Sequence, residues 1–168
     1  MDEMKIQKGE TEVTAKILEF LRTKNVDFEK MEHEPVTTSI GAAEARGSQL
    51  SQGAKAIIVK ADDQYYEIVI SAAVRLDNKK LRKILGTRRV RFATPEELFE
   101  LTGCLPGAVP PFGNLFGLQV ILDDALMAEE TVFFNCGSNT VSLRMARSDL
   151  VAVTEAQIED FHKPAVDS

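Results

Sequence analysis

Apolar residues recur at Val13, Ile17 and Leu21, with Leu18 and Phe20 alongside. This three-to-four-residue spacing predicts an amphipathic helix from Thr11 to near Lys24. A short strand is expected over Phe28 to His33. Thr38 or Ser39 can then cap a brief helix through Gly41, Ala42, Ala43 and Ala45, which Gly47 stops. Ala54 to Ala61 and Tyr65 to Ser71 are rich in Ile, Val and Tyr and are joined by Asp62, Asp63 and Gln64, the pattern of a hairpin. Asp77 caps a helix over Asn78 to Leu85 that ends at Gly86, and Arg88 to Phe92 reads as a strand. Thr94, Pro95 and Glu97 form a capping box with proline at the first helical position, so another helix runs to about Thr102 and stops at Gly103. Strands follow at Leu118 to Leu122, Thr131 to Phe134 and Thr140 to Met145, and Ser148 can cap a final helix. Strands and helices interleave without a strict βαβ rhythm. The expected class is therefore α+β, a mixed and largely antiparallel sheet surrounded by helices.

At 168 residues and 44% hydrophobic content the chain has the size and composition of one globular unit. That unit is expected over residues 11–161, with polar tails at 1–10 and 162–168. No stretch reaches the roughly 18 apolar residues of a membrane helix, and Met1 to Glu10 is charged where a signal peptide would be apolar. Neither export nor insertion is expected. Two cysteines are too few for a disulfide framework and point to a reducing compartment, the cytoplasm.

The net charge of −6 gives the whole molecule no attraction for a polyanion, but the charge is unevenly placed. Arg75, Lys79, Lys80, Arg82, Lys83, Arg88, Arg89 and Arg91 face a single acid, Asp77, giving a local +7 and leaving −13 elsewhere. Such a segment is either a solvated surface or a docking face for nucleic acid. Base-stacking aromatics are missing from it apart from Phe92.

Gly103-Cys-Leu-Pro-Gly-Ala-Val-Pro-Pro-Phe-Gly113 holds three Gly and three Pro in eleven residues and cannot be regular structure. Proline fixes φ and lacks an N–H, whereas glycine permits sharp turns. The segment is either a rigid connector or a stiff frame whose few remaining N–H groups hold an oxyanion. Lys55 shares a strand face with Ile57 and Val59. It either snorkels to solvent or holds a phosphate as a point charge. A thiol hydrolase would need Cys104 or Cys136 beside a base, and only His33 and His162 are available. Isolated cysteines are more often small core residues, and a lone histidine such as His33 is more often packed than catalytic. No His/Cys/Asp group has metal-ligand spacing, and Asp123-Asp124 and Glu129-Glu130 read as turn charges.

Four stretches in order resemble one known family. They are His33-Glu-Pro-Val-Thr-Thr38, Gly53-Ala-Lys-Ala-Ile-Ile-Val59, Pro106-Gly-Ala-Val-Pro-Pro-Phe-Gly113 and Asn135-Cys-Gly-Ser-Asn-Thr140. Together with Ser148-Asp-Leu150 they resemble the YbaK and prolyl-tRNA synthetase-associated domains, the INS-like aminoacyl-tRNA deacylases, from Thr11 to Val153. The resemblance implies a barrel-like sheet and a trans-editing hydrolase that frees a small noncognate amino acid from tRNA, with tRNA for proline as the expected carrier. It implies the CCA end of misacylated tRNA as partner, admits a prolyl-tRNA synthetase as a second one, and calls for no cofactor or metal. The family's Gly-x-x-x-Pro loop is matched by Gly107 to Pro111, so Gly107 and Ala108 are expected to hold the aminoacyl carbonyl. Lys55 matches a lysine that contacts the terminal nucleotide. His33, Thr38, Val109, Pro111, Phe112, Asn135, Gly137 and Ser142 are the expected substrate-binding residues. In the family picture water attacks with help from the 2′-hydroxyl, without a side-chain nucleophile. Ala56 and Pro110 depart from the residues many relatives carry, which bears on amino acid choice. A binding module that has lost hydrolysis, and a cysteine hydrolase, are the rival functions.

Overall fold

The computed structural model describes residues 10–164. Helix α1 (Glu12–Thr23) starts at Thr11, whose hydroxyl accepts from the Thr14 N–H, and buries Ile17, Leu18 and Leu21 on one side. Strand β1 (Phe28–Glu32) and helix α2 (Ser39–Arg46) follow, the latter capped by Thr38 and stopped at Gly47. The hairpin β2 (Ala54–Ala61) and β3 (Gln64–Ser71) is succeeded by the short β4 (Val74–Leu76), then α3 (Asn78–Leu85) capped by Asp77. Strand β5 (Val90–Phe92) leads to α4 (Pro95–Thr102), whose capping box of Thr94 and Glu97 forms as the sequence predicts. After the Gly/Pro segment come β6 (Gln119–Asp123), β7 (Thr131–Ser138), β8 (Val141–Ala146), α5 (Arg147–Thr154), β9 (Gln157–Glu159) and β10 (His162–Pro164).

The architecture is α+β, with mixed strand directions. A five-stranded sheet runs β5-β2-β3-β6-β9; β2 pairs antiparallel with β5 and β3, while β6 lies parallel to both β3 and β9. A three-stranded antiparallel sheet runs β1-β8-β7, and β10 pairs with β4. A single bridge, Gly53 to Phe133, links the start of β2 to β7. Among the described residues these sheets do not close into the expected barrel. Two details depart from the local reading. Helix α5 starts at Arg147 without a side-chain cap, so Ser148 is not its N-cap. Strand β8 runs directly into it, and the Arg147 N–H donates to Glu130 O. His162–Pro164, expected in the polar tail, is strand β10; residues 1–9 and 165–168 of those tails lie outside the described residues.

Alternation along β2 sends neighbouring residues to different cores, because both faces of the larger sheet are covered. Ile58 packs with Leu98, Cys104, Val109 and Leu118 under the Gly/Pro segment. Val59 joins Ile68, Leu81, Ile121 and Phe161 beneath α3. The largest cluster gathers Ile17, Leu21, Phe112, Phe134, Leu126 and Leu143 between α1 and the smaller sheet. Each such fully buried side chain stabilises the fold by about 1.5–3 kcal/mol. Glu97 binds Arg91 at 2.7 Å and accepts from the Tyr65 hydroxyl, fastening α4 to β5 and the hairpin.

One polar group interrupts the core. Glu67 of β3 is fully buried, accepts from the Gly113 N–H at 2.9 Å through Oε1, and has no partner for Oε2 among the described residues. Burial pushes its carboxyl up to about 8, and the single amide offsets this only in part. The unfolded carboxyl ionises at lower pH than the folded one, so its contribution is fully present below the unfolded value and is lost as pH rises through about 8. Denaturant stability should therefore fall across that window. Glu67→Gln, which keeps the acceptor, should flatten the curve; an unchanged slope would exclude Glu67 as its source.

Candidate active site

A cavity of about 560 Å³ opens between α2, the start of β2, the end of β5 and the Gly/Pro segment. Its apolar wall comes from Ala42, Ile58, Leu98 and Phe92, the last a rim residue 58% exposed. Lys55, exposed on the opening turn of β2, faces it without a hydrogen-bond or ion-pair partner among the described residues. Among the described residues no carboxylate lines the cavity, whereas two cations do, Lys55 and Arg46. Such a cleft favours an anionic or electron-rich group.

The Gly/Pro segment makes one side of this cleft. Leu105 to Ala108 form a tight turn, closed by the Ala108 N–H to Leu105 O at 3.1 Å, with Pro106 and Gly107 at its centre. Gly107 has φ +85°, the left-handed geometry that a Pro-Gly type II turn requires. The Ala108 N–H, expected to hold a substrate carbonyl, is thus engaged within the turn, and Ala108 does not line the cavity. Gly107 and Val109 do line it, their amides have no acceptor among the described residues, and Pro110 has no N–H to offer.

Two further bonds fix the turn from the smaller sheet. The Gly137 N–H donates to Ala108 O at 2.8 Å, and the Asn135 side-chain amide donates to Gly107 O at 2.8 Å. Asn135 pairs with Ser142 across β7 and β8, and beyond that pair the register shifts, leaving Cys136 and Gly137 as a bulge before Ser138 meets Val141. Gly137 adopts φ +78° there, and an added Cβ would lie 3.0 Å from both Thr11 Oγ1 and Thr14 N. Gly137, expected among the substrate-binding residues, packs closely here, supports the loop and does not line the cavity.

Arg46, which nothing in the local sequence marks, is the hub of the polar wall. Its guanidinium donates to Asn135 Oδ1 and to Ser142 Oγ, both at 2.9 Å, and Ser142 Oγ lies 2.8 Å from His33 Nε2. Desolvation lowers Arg46 to about 10, so it stays charged at neutral pH. Of the expected residues, the structure brings Lys55, Thr38, Gly107, Val109 and Asn135 to the cavity. His33 and Ser142 do not line it and connect to it through Arg46. Thr38 also caps α2 through its hydroxyl. Pro111 and Phe112 are buried, and Phe112 packs edge-on against Phe134 in the main core, so neither is placed to touch a ligand.

One acidic group does gather. Asp123, Asp124, Asp160 and His162 hold ligand atoms within 4.8 Å of one another, a proximity their sequence spacing hides. The protein's own groups engage it: Asp123 accepts from the Phe161 and Ala125 N–H groups, and Lys80 lies 3.1 Å from Asp160. None of the four lines the cleft.

The model of the aminoacyl-tRNA editing domain matches residues 33–153. The chain is 29% identical over 155 residues to the multifunctional Ser/Thr-tRNA deacylase ProXp-y of Escherichia coli (strain K12), covering 89% of this chain and 93% of that protein. It is 31% identical over 115 residues to a proline–tRNA ligase of Methylobacillus flagellatus, covering 66% of this chain and 20% of the ligase. A solved structure presented as a candidate trans-editing enzyme for prolyl tRNA synthetase superposes with TM-score 0.81 at 28% identity, covering 92% of this chain and 99% of the other.

Neither thiol is built as a nucleophile. Cys104 and Cys136 are both buried, and burial raises both above the ordinary thiol value. Neither lines the cavity, and no histidine is bonded to either. Iodoacetamide at neutral pH should leave the native protein unlabelled and modify both thiols after denaturation, read by intact mass. Fast labelling of one thiol in the native state would restore the cysteine mechanism.

Proposed function

We propose how the cleft works on the premise that the chain belongs to the aminoacyl-tRNA editing domain family. It is an aminoacyl-tRNA deacylase. The finer reading is trans-editing, in the cytoplasm, of tRNA that carries a small noncognate amino acid, with tRNA for proline as the carrier. Serine and threonine are the leading candidates, since the E. coli relative is a Ser/Thr-tRNA deacylase. A synthetase pocket gains only about 1–3 kcal/mol from one methylene, so small or isosteric amino acids need a second sieve.

The observation that carries the mechanism is a pair of unengaged amides, Gly107 and Val109, on a carboxylate-free cleft beside Lys55. These amides receive the ester carbonyl and stabilise the charge that develops on its oxygen. Each such donor contributes about 2.7–4 kcal/mol to the transition state. Lys55 anchors the phosphate or ribose of the terminal adenosine as a point charge. Arg46 holds Asn135, which pins the carbonyl of Gly107 and so orients the peptide next to the receiving amides. The vicinal 2′-hydroxyl of the terminal ribose orients the attacking water. Water oxygen bonds to the carbonyl carbon, the bond to the ribose oxygen breaks, and the proton passes to that leaving oxygen, giving free amino acid and intact tRNA. An aminoacyl ester is activated enough that positioning and a preformed donor frame suffice.

Deacylation of seryl, threonyl, alanyl and cysteinyl esters on several tRNAs tests this. Lys55→Ala should lower kcat/KM about 10- to 100-fold, the worth of one charge-assisted contact. Val109→Pro, which deletes one N–H, should lower kcat about 10²- to 10³-fold in protein still folded at the assay temperature, whereas Val109→Ala, which trims the same packing but keeps the N–H, should not. Tight tRNA binding without release from any ester would instead make the chain a binding module. Wild-type turnover in Lys55→Ala and Val109→Pro would remove these residues from the mechanism.

A further inference from the structure

The basic segment is concentrated in space as well as in sequence. Helix α3 ends at Gly86 beside a concave surface lined by Lys79, Arg82, Lys83, Gly86, Thr87 and Arg88, with no acid in the lining. Lys79, Lys83 and Arg82 share one helix face because they lie three or four residues apart. Their side chains and that of Arg88 have no ion-pair or hydrogen-bond partner among the described residues. Two other cations of the segment differ: Lys80 is tied to Asp160 and Arg91 to Glu97. The structure thus leaves the cations of the concavity free and neutralises two of their neighbours.

The chain connects this concavity directly to the cleft. From Arg88 it runs through β5 to Phe92, the exposed aromatic on the cavity rim. Four residue steps span at most about 14 Å. That distance matches roughly four stacked nucleotides at ~3.4 Å each. An RNA strand whose last ribose enters beside Lys55 would pass Phe92, whose ring offers a base a stacking surface, and would present its phosphates to the free cations.

We propose that the concave surface formed by Lys79, Arg82, Lys83 and Arg88 is a second subsite that binds the phosphate backbone of the RNA substrate upstream of its aminoacylated 3′ end. This rests on the deacylase reading of the cleft and extends it to the partner's backbone. Contacts of this kind carry no base information. They raise affinity and capture rate through counterion release, on a molecule whose remaining surface is acidic.

The test uses the full chain and a combined Lys79→Ala, Arg82→Ala, Lys83→Ala and Arg88→Ala variant, with uncharged tRNA for binding, and aminoacyl-tRNA and aminoacyl-adenosine for turnover. The variant should bind tRNA at least about tenfold more weakly. Its dependence of log K on log salt should be shallower by about 0.7–0.9 for each phosphate it no longer neutralises. Its KM for aminoacyl-tRNA should rise at constant kcat, while aminoacyl-adenosine, which reaches only the cleft, is hydrolysed as by the wild type. Lys83→Glu with Arg88→Glu should exaggerate each effect. Unchanged tRNA affinity and salt slope overturn the proposal, as does an equal loss on both substrates, which would mean a disturbed cleft. If the wild type releases no amino acid, the deacylase reading fails, and the binding arm still decides the subsite.

Discussion

The hydrogen bond from the Gly137 N–H to Ala108 O joins two parts of the chain that no continuous strand pairing connects. It depends on a bulge, because Cys136 and Gly137 drop out of register with β8 and are free to bond elsewhere. The same bulge is gripped from its other side by α1, where the Thr14 hydroxyl donates to Cys136 O at 2.6 Å and the Thr11 hydroxyl to Gly137 O at 3.0 Å. A loop of glycine and proline has little means of holding itself in place, so its geometry is borrowed from the bulge and, through the bulge, from the first helix. The position of the cleft amides therefore follows from packing far away in sequence.

The charge arrangement follows similar logic. A guanidinium half withdrawn from water is costly unless its donors are used. Arg46 uses them on Asn135 and Ser142, neutral oxygens that leave its charge uncancelled toward the cavity. With Lys55 opposite and no carboxylate in the lining, the field in the cleft favours a phosphate and a developing oxyanion at once. The thiols are buried, and Ser142, although its hydroxyl meets His33, is itself fully buried, held by Arg46 and outside the cavity lining.

Local signals in the sequence were enough for the helices that carry their own punctuation. Thr38, Asp77 and Thr94 cap where side-chain chemistry says they should. The three-residue strands β4 and β10 were not legible, since each exists only because it finds the other across the fold. The same reason hid Arg46, whose partners Ser142 and Asn135 lie 96 and 89 residues further on. A sequence shows that the Gly/Pro segment is stiff, and it shows Lys55 on a strand. It cannot show that Ala108 spends its amide closing a turn, nor that the amides of the cavity-lining Gly107 and Val109 stay unengaged. Phe112 was misplaced by the same limit: an aromatic beside a functional loop points inward here, onto Phe20 and Phe134.

Helix α1 is made first and satisfied late. Its partners Cys136 and Gly137 lie 122 and 126 residues beyond Thr14 and Thr11. The parallel pairing of β6 with β3 likewise waits on distant segments. Such long separations slow the search for the native topology, and throughout synthesis the apolar stripe of Ile17, Leu18 and Leu21 has nothing native to cover it. The arrangement that positions the Gly/Pro loop is thereby completed only once β7 has met the first helix.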